Sequence, residues 1–123
     1  MVGKKRILIL DTDKEILDLA SNVLENEGYG VRILENPRLV YNEIALFTPQ
    51  LVILDFHLKD FDALEICTKI KTSHLYQHIP VLLLANEEDM KKLRGNDLPN
   101  GLLSLPIDPD ELVAMVSEMQ LST

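Results

Sequence analysis

The chain has 123 residues, of which 46% are hydrophobic and 26% charged, a composition that suits one domain with a single core. Its formal net charge of −8 argues against nucleic acid or an anionic membrane as a direct partner. The single cysteine, Cys67, excludes an internal disulfide and is expected to pack as a small apolar side chain. No apolar run reaches transmembrane length and no secretory signal is evident, so we expect a cytoplasmic protein with one domain spanning 1–123.

Five short apolar runs divide the chain into repeating units of strand and helix. Each run is followed by a segment in which apolar residues recur at helical intervals. The runs lack polar alternation, which is typical of parallel strands that are covered on both faces. The predicted strands are 6–10, 31–34, 51–54, 81–84 and 102–105, and the predicted helices are 13–27, 36–47, 62–71, 86–94 and 108–119.

Polar residues that favour helix starts precede each helical segment. Thr12 and Glu15 have the spacing of a capping box, so Thr12 is expected to cap the first helix and Asp13 to be an acid of its first turn. The inward stripes of the first two helices are expected to include Leu19 and Leu39. The other helices are expected to start at Asn36, Asp62, Asn86 and Asp108.

The alternation of strands and helices also predicts where a site should lie. Right-handed crossovers limit the topology to a doubly wound α/β sandwich, in which ligands bind at the carboxyl ends of the strands. With the strand order 2-1-3-4-5, Asp11 after the first strand and Asp55 after the third would lie close together. Converging carboxylates suit Mg²⁺. An aspartate beside such a metal can attack phosphorus and form an aspartyl phosphate.

These features together resemble the receiver domain of two-component response regulators over essentially the whole chain. The resemblance is carried by the acidic tip after the first strand, by "LVILD" and "FDALEI" around Asp55, by "IPVLLLA", and by Pro106 after the fifth strand. It implies a flavodoxin-like (βα)5 three-layer sandwich with a parallel five-stranded sheet, and a signalling domain rather than an enzyme. It also implies that a histidine kinase or phosphotransfer protein phosphorylates Asp55, and that Asp11, Asp55 and the backbone carbonyl of His57 hold Mg²⁺.

Several positions depart from the family pattern, and four of them bear on the phosphoryl site or its response. Thr12 stands where the family usually has a second metal-binding acid, and Asp13 would replace it only if the helix began differently. Ala85 lacks the switch hydroxyl, Leu105 replaces the lysine after the fifth strand, and Leu102 replaces the aromatic switch residue. A hydrogen bond to a charged group contributes about 1.5–3 kcal/mol, so losing the hydroxyl and the lysine weakens phosphoryl stabilisation by about 10²–10⁴-fold. We therefore expect an atypical receiver with impaired phosphorylation and with Mg²⁺ binding weakened or lost.

Two other functions fit the same residues. A pseudo-receiver would act through protein contacts without phosphate. Its partner would be a second copy of the chain or an output domain, bound at the family's usual contact face of helix four, strand five and helix five. "ILILDTD" also resembles the opening motif of haloacid-dehalogenase-type phosphatases, with Asp11 as nucleophile and Asp13 as general acid. Against the phosphatase, Glu15 replaces the expected threonine or valine, and 123 residues leave little room for a cap domain. The contact face would carry the mixed charges Lys91, Lys92, Arg94, Asp97, Asp110 and Glu111.

Overall fold

A five-stranded parallel sheet forms the centre of the molecule in a computed structural model that describes residues 3–95 and 98–122. Its strands are β1 (Arg6–Leu10), β2 (Gly30–Leu34), β3 (Leu51–Asp55), β4 (Val81–Ala85) and β5 (Gly101–Ser104). Their spatial order is β2-β1-β3-β4-β5, and all neighbouring strands run parallel. The predicted doubly wound topology and strand order are therefore confirmed.

Five α-helices cover the two faces of the sheet. Successive side chains of a strand point to opposite faces, so in β1 Ile7 and Ile9 contact one layer while Leu8 and Leu10 contact the other. The first layer contains α1 and α5, and the second contains α2, α3 and α4. The helices are α1 (Lys14–Asn26), α2 (Val40–Phe47), α3 (Ala63–Thr72), α4 (Glu87–Leu93) and α5 (Pro109–Glu118). None of the helices in 3–95 and 98–122 is both long and apolar enough to span a bilayer.

The start of α1 differs from the prediction. Asp13, not Thr12, is the N-cap residue, and its side chain accepts a hydrogen bond from the Glu15 backbone N–H at 2.9 Å. The Asp13 backbone N–H donates to the Asp11 side chain, which holds the turn so that the helix begins one residue later than expected. The capping role predicted for Thr12 is therefore wrong, whereas the predicted stop at Gly28 is confirmed by its φ of 94°.

The other predicted caps are confirmed, with one change of geometry before α2. Asn36 caps a short 3₁₀ turn, Pro37–Leu39, and α2 follows directly from it. Because this turn has a different rotation per residue, Leu39 lies 44% exposed rather than in the core. In α1 Leu17, Ala20 and Leu24 are buried, whereas Leu19 is 41% exposed, so its predicted inward position is wrong. The caps of α3, α4 and α5 are Asp62, Asn86 and Asp108, as predicted.

Cys67 packs inside the core on α3, as expected for a small apolar side chain. Burial raises the pKa of its thiol to about 11, so the thiol remains protonated at neutral pH. A two-residue hairpin, in which His57–Leu58 pairs with Phe61–Asp62, connects the end of β3 to α3. The peptide bond between Leu105 and Pro106, after β5, is cis.

Candidate functional site

Two buried carboxyl groups meet at the carboxyl ends of the neighbouring strands β1 and β3. Leu10 is in register with Leu54, so Asp11 and Asp55 occupy adjacent positions just beyond the pair. Asp11 is fully buried and Asp55 is 3% exposed. Their carboxyl groups lie close enough for Asp55 to raise the pKa of Asp11. The structure thus brings together the two acids that the topology predicted would converge.

The hydrogen bonds of the two acids leave one buried oxygen without a donor among the described residues. Asp11 Oδ1 accepts from the Asp13 backbone N–H at 2.9 Å, and Asp55 Oδ1 accepts from the His57 backbone N–H at 2.8 Å. Asp11 Oδ2 is buried, and no donor in the described part of the chain reaches it. The group that approaches Asp11 is another carboxyl group, which has no hydrogen to donate unless it is protonated.

This environment changes the protonation of Asp11. Burial raises the pKa of Asp11 to about 8, and the carboxyl group of Asp55 contributes to the increase. The hydrogen bond from Asp13 acts in the opposite direction but is the weaker influence. Without a cation, this environment favours the protonated form of Asp11. The site can accept positive charge either as a proton or as a metal ion.

A divalent cation suits the residues at this point. The donor-free Asp11 Oδ2 and the carboxylate of Asp55 are the hard oxygen ligands that Mg²⁺ prefers. No third histidine, cysteine or acid joins them into a metal-binding group within 3–95 and 98–122. The side chain of Asp13 is exposed and engaged in the cap of α1. Two carboxylates are fewer protein charges than the three acids that the family pattern would supply.

Thr12 has a different contact from the one predicted. Its side chain is exposed, and its Oγ1 accepts a hydrogen bond from the Lys59 backbone N–H at 3.3 Å. This bond joins the turn before α1 to the hairpin after β3. The side chain of Lys59 is itself exposed.

The other three of these four positions carry apolar side chains. Ala85 is fully buried at the end of β4, and its carbonyl accepts from the Leu105 backbone N–H at 2.8 Å. Leu105 lines an open groove of about 450 Å³ with Asp13 and Asn86 on its rim. Leu102 is half-buried on β5 and packs against the core. No hydroxyl or cationic side chain stands at these three positions.

A contact that the sequence did not predict joins the loop after Asp55 to α4. His57 Nε2 is hydrogen-bonded to Asp89 Oδ2. Asp89 is only 4% exposed, although the sequence suggested an ordinary acid of the first helical turn. Its Oδ1 lies 3.6 Å from Lys92 Nζ. The two partners are 32 residues apart, so no local pattern could have revealed the pair.

His74 and His78 are exposed, as predicted for the connection between α3 and β4. On the predicted contact face, the described charged residues are exposed as well. These are Lys91, Lys92 and Arg94 at the end of α4, and Asp110 and Glu111 at the start of α5. Asp97, which was also assigned to this face, lies outside the described residues.

Comparison with known proteins agrees with this architecture. The model of the response regulator receiver domain matches residues 7–117, and the chain belongs to this family. It is 32% identical over 114 residues to the regulatory protein VanRc of Enterococcus gallinarum, covering 91% of this chain and 48% of the relative. It is also 32% identical over 116 residues to the phosphate regulon transcriptional regulatory protein PhoB of Pseudomonas aeruginosa, covering 93% and 50%. The chain thus spans about half the length of these relatives.

The fold has close structural counterparts. A putative response regulator from Chloroflexus aurantiacus superposes with a TM-score of 0.87 at 27% identity, covering 95% of this chain and 98% of the other. The chemotaxis response regulator CheY4 of Vibrio cholerae superposes with a TM-score of 0.84 at 21% identity, covering 94% and 98%. The chain is therefore a receiver domain with the flavodoxin-like fold, and the family match favours this reading over the phosphatase alternative.

Proposed function

We propose that this receiver domain accepts a phosphoryl group on Asp55 from a histidine kinase or phosphotransfer protein in the cytoplasm. The observation that carries the proposal is a buried carboxylate at the end of β3, next to a second acid whose Oδ2 has no donor within the described residues. An Asp55 oxygen would attack phosphorus, the bond from phosphorus to the donor's histidine nitrogen would break, and that nitrogen would regain a proton.

Mg²⁺ is the cofactor that this proposal requires. Asp11, Asp55 and the backbone carbonyl of His57 would hold the ion, with Asp13 as a further candidate ligand. When bound, Mg²⁺ would neutralise charge on the phosphoryl oxygens. To bind the metal ion, Asp11 must lose the proton that burial favours, so the ion and protons compete for the same carboxyl group.

The transfer is expected to be weak. Ala85 offers no hydroxyl and Leu105 no positive charge to the phosphoryl oxygens. Each such hydrogen bond contributes about 1.5–3 kcal/mol, so the missing pair corresponds to about 10²–10⁴-fold in phosphoryl stabilisation. Thr12 in place of an acid weakens Mg²⁺ binding further, since its hydroxyl is a neutral ligand.

Treatment with acetyl phosphate and Mg²⁺, followed by intact-mass measurement, tests the proposal. We expect a phosphoryl adduct on the wild-type protein and none on the Asp55→Asn variant. Asp18→Asn, which changes an exposed aspartate on α1, is the matched control and should react like the wild type. An equal adduct on Asp55→Asn would contradict the assignment of Asp55.

A phosphorylation-independent interaction module is the second candidate. The observation that favours it is the apolar character of the surroundings: a buried Ala85, a groove lined by Leu105 and a half-buried Leu102. The mixed charges on α4 and α5 would suit contact with an output domain or a second copy of the chain. Absence of any adduct, together with absence of stabilisation by Mg²⁺, would favour this function. Turnover of a phosphate ester that Asp11→Asn abolishes would instead indicate an enzyme.

A further inference from the structure

We infer that His57 couples the chemical state of the Asp55 carboxylate to helix α4 through its contact with Asp89. His57 forms hydrogen bonds through both its backbone and its side chain. Its backbone N–H donates to Asp55 Oδ1 at 2.8 Å, and its ring Nε2 is hydrogen-bonded to Asp89 Oδ2. His57 therefore links the proposed phosphoacceptor to helix α4 through two hydrogen bonds. This link does not involve Ala85 of β4 or Leu102 of β5.

At its α4 end, this link reaches a buried carboxylate near the start of the helix. Asp89 is 4% exposed, and a buried carboxylate is costly unless it is paired. Its backbone N–H donates to the capping side chain of Asn86 at 2.8 Å, and Lys92 approaches its other oxygen at 3.6 Å. Asp89, which His57 contacts, is thus bonded through its backbone to the residue that caps the start of the helix.

Helix α4 is suited to respond to the loss of this contact. It has seven residues, of which only Asp89 and Leu93 are buried. A helix of this length is not stable by itself and depends on its tertiary contacts. Without His57, the buried carboxylate of Asp89 would lose a hydrogen-bonding partner, and its exposure to water would become more favourable.

At its other end, the link would respond to chemical modification of Asp55. A phosphoryl group on the Asp55 carboxylate would compete for the oxygen that accepts the hydrogen bond from the His57 backbone N–H. His57 would then lose its anchor, its ring would leave Asp89, and α4 would loosen. Ala85 has no hydroxyl and Leu102 no aromatic ring to carry the response, so the coupling falls to His57. This inference rests on the proposed function only in making Asp55 the residue that is modified.

Amide hydrogen exchange of α4, followed at constant pH in the whole chain, tests the contact itself. We expect His57→Ala to accelerate exchange of the α4 amides by about 3- to 10-fold, because a charge-assisted hydrogen bond is lost at a partly exposed position. His57→Gln retains a side-chain N–H donor and should restore protection. His74→Ala removes an exposed histidine from another loop and should leave α4 unchanged. Equal exchange in His57→Ala and the wild type would overturn the inference.

A second comparison tests the coupling without requiring phosphorylation. Asp55→Ala removes the acceptor of the His57 N–H, whereas Asp55→Asn keeps a side-chain oxygen in its place. We expect Asp55→Ala to accelerate α4 exchange by about 2- to 3-fold in the wild-type background. The effect should disappear in the His57→Ala background and be small for Asp55→Asn. An acceleration that persists without His57 would refute the coupling.

The two proposals can fail separately. If acetyl phosphate leaves no adduct but Asp55→Ala still acts on α4 through His57, the coupling stands and the phosphoacceptor function falls. If an adduct forms on Asp55 and α4 exchange does not change in the wild type, the coupling falls and the phosphoacceptor function stands.

Discussion

Replacing Asp11 by asparagine removes the acid whose charge the fold disfavours most clearly. Asp11 is fully buried, its Oδ2 has no donor within the described residues, and burial raises its pKa from 3.8 to about 8. Asparagine has nearly the same shape and carries no charge. Its amide can donate to Asp55 in the way that a shared proton does. We therefore expect Asp11→Asn to be more stable than the wild type when no metal is present, by an amount that depends on pH.

The sign follows from proton linkage. Because the folded-state pKa of Asp11 lies above the unfolded value, the folded state binds the extra proton between these values. The stability contributed by this proton is fully present below about pH 4 and is lost as the pH rises through about 8. Each pKa unit corresponds to about 1.4 kcal/mol. Between pH 5 and pH 8 the wild type would lose at most about 3–4 kcal/mol relative to Asp11→Asn.

Urea unfolding at several pH values between about 5 and 8, in the presence of a chelator, measures this difference. Relaxation around the site lowers the cost of the charge, so we expect a gain of about 1–3 kcal/mol for Asp11→Asn across this range. Asp18→Asn on the exposed side of α1 controls for a general loss of negative charge. Parallel pH profiles for the wild type and Asp11→Asn would refute the reasoning, because Asp11 would then not be protonated in the folded state.

Three further predictions concern the same site. Saturating Mg²⁺ should stabilise the wild type by about 1–3 kcal/mol in thermal unfolding. The gain should be larger at pH 8 than at pH 6, where protons compete for Asp11, and absent in Asp11→Asn. Introducing the missing groups by Leu105→Lys and Ala85→Thr should lengthen the lifetime of the acetyl phosphate adduct by about 10-fold or more, measured by mass against time; an unchanged lifetime would show that these positions do not reach the phosphoryl group. Asp13→Ala should cost about 1 kcal/mol of unfolding free energy in a chelator and Thr12→Ala clearly less, whereas the reverse order would restore Thr12 as the cap.

Local chemistry was enough to predict most of the elements. Unbroken apolar runs identify the strands, because a strand covered on both faces cannot alternate with polar residues. The caps at Asp62, Asn86 and Asp108 follow from side chains that satisfy free N–H groups at a helix start. The meeting of Asp11 with Asp55 required only one further rule, that ligand sites of a doubly wound sheet lie at its switch point.

Two features were harder to predict where local arrangements compete: which residue caps a helix, and which of its residues face the core. Thr12 and Asp13 both have side chains that can cap α1, and the hydrogen bond from the Asp13 backbone to Asp11 decides between them. Leu39 falls on the apolar stripe of an ideal α-helix, but the 3₁₀ turn that starts at Pro37 rotates it toward solvent. Each outcome depends on an energy difference of a few tenths of a kcal/mol to about 1 kcal/mol between similar conformations.

Residue type and order thus sufficed to predict the architecture of this receiver domain and the meeting of Asp11 with Asp55. The raised pKa of Asp11 could not be predicted in this way, since desolvation depends on everything that packs around the carboxyl group. The same holds for the contact of His57 with Asp89, because it joins the hairpin after β3 to helix α4. Contacts across 32 residues of chain arise from packing, and no local pattern records them.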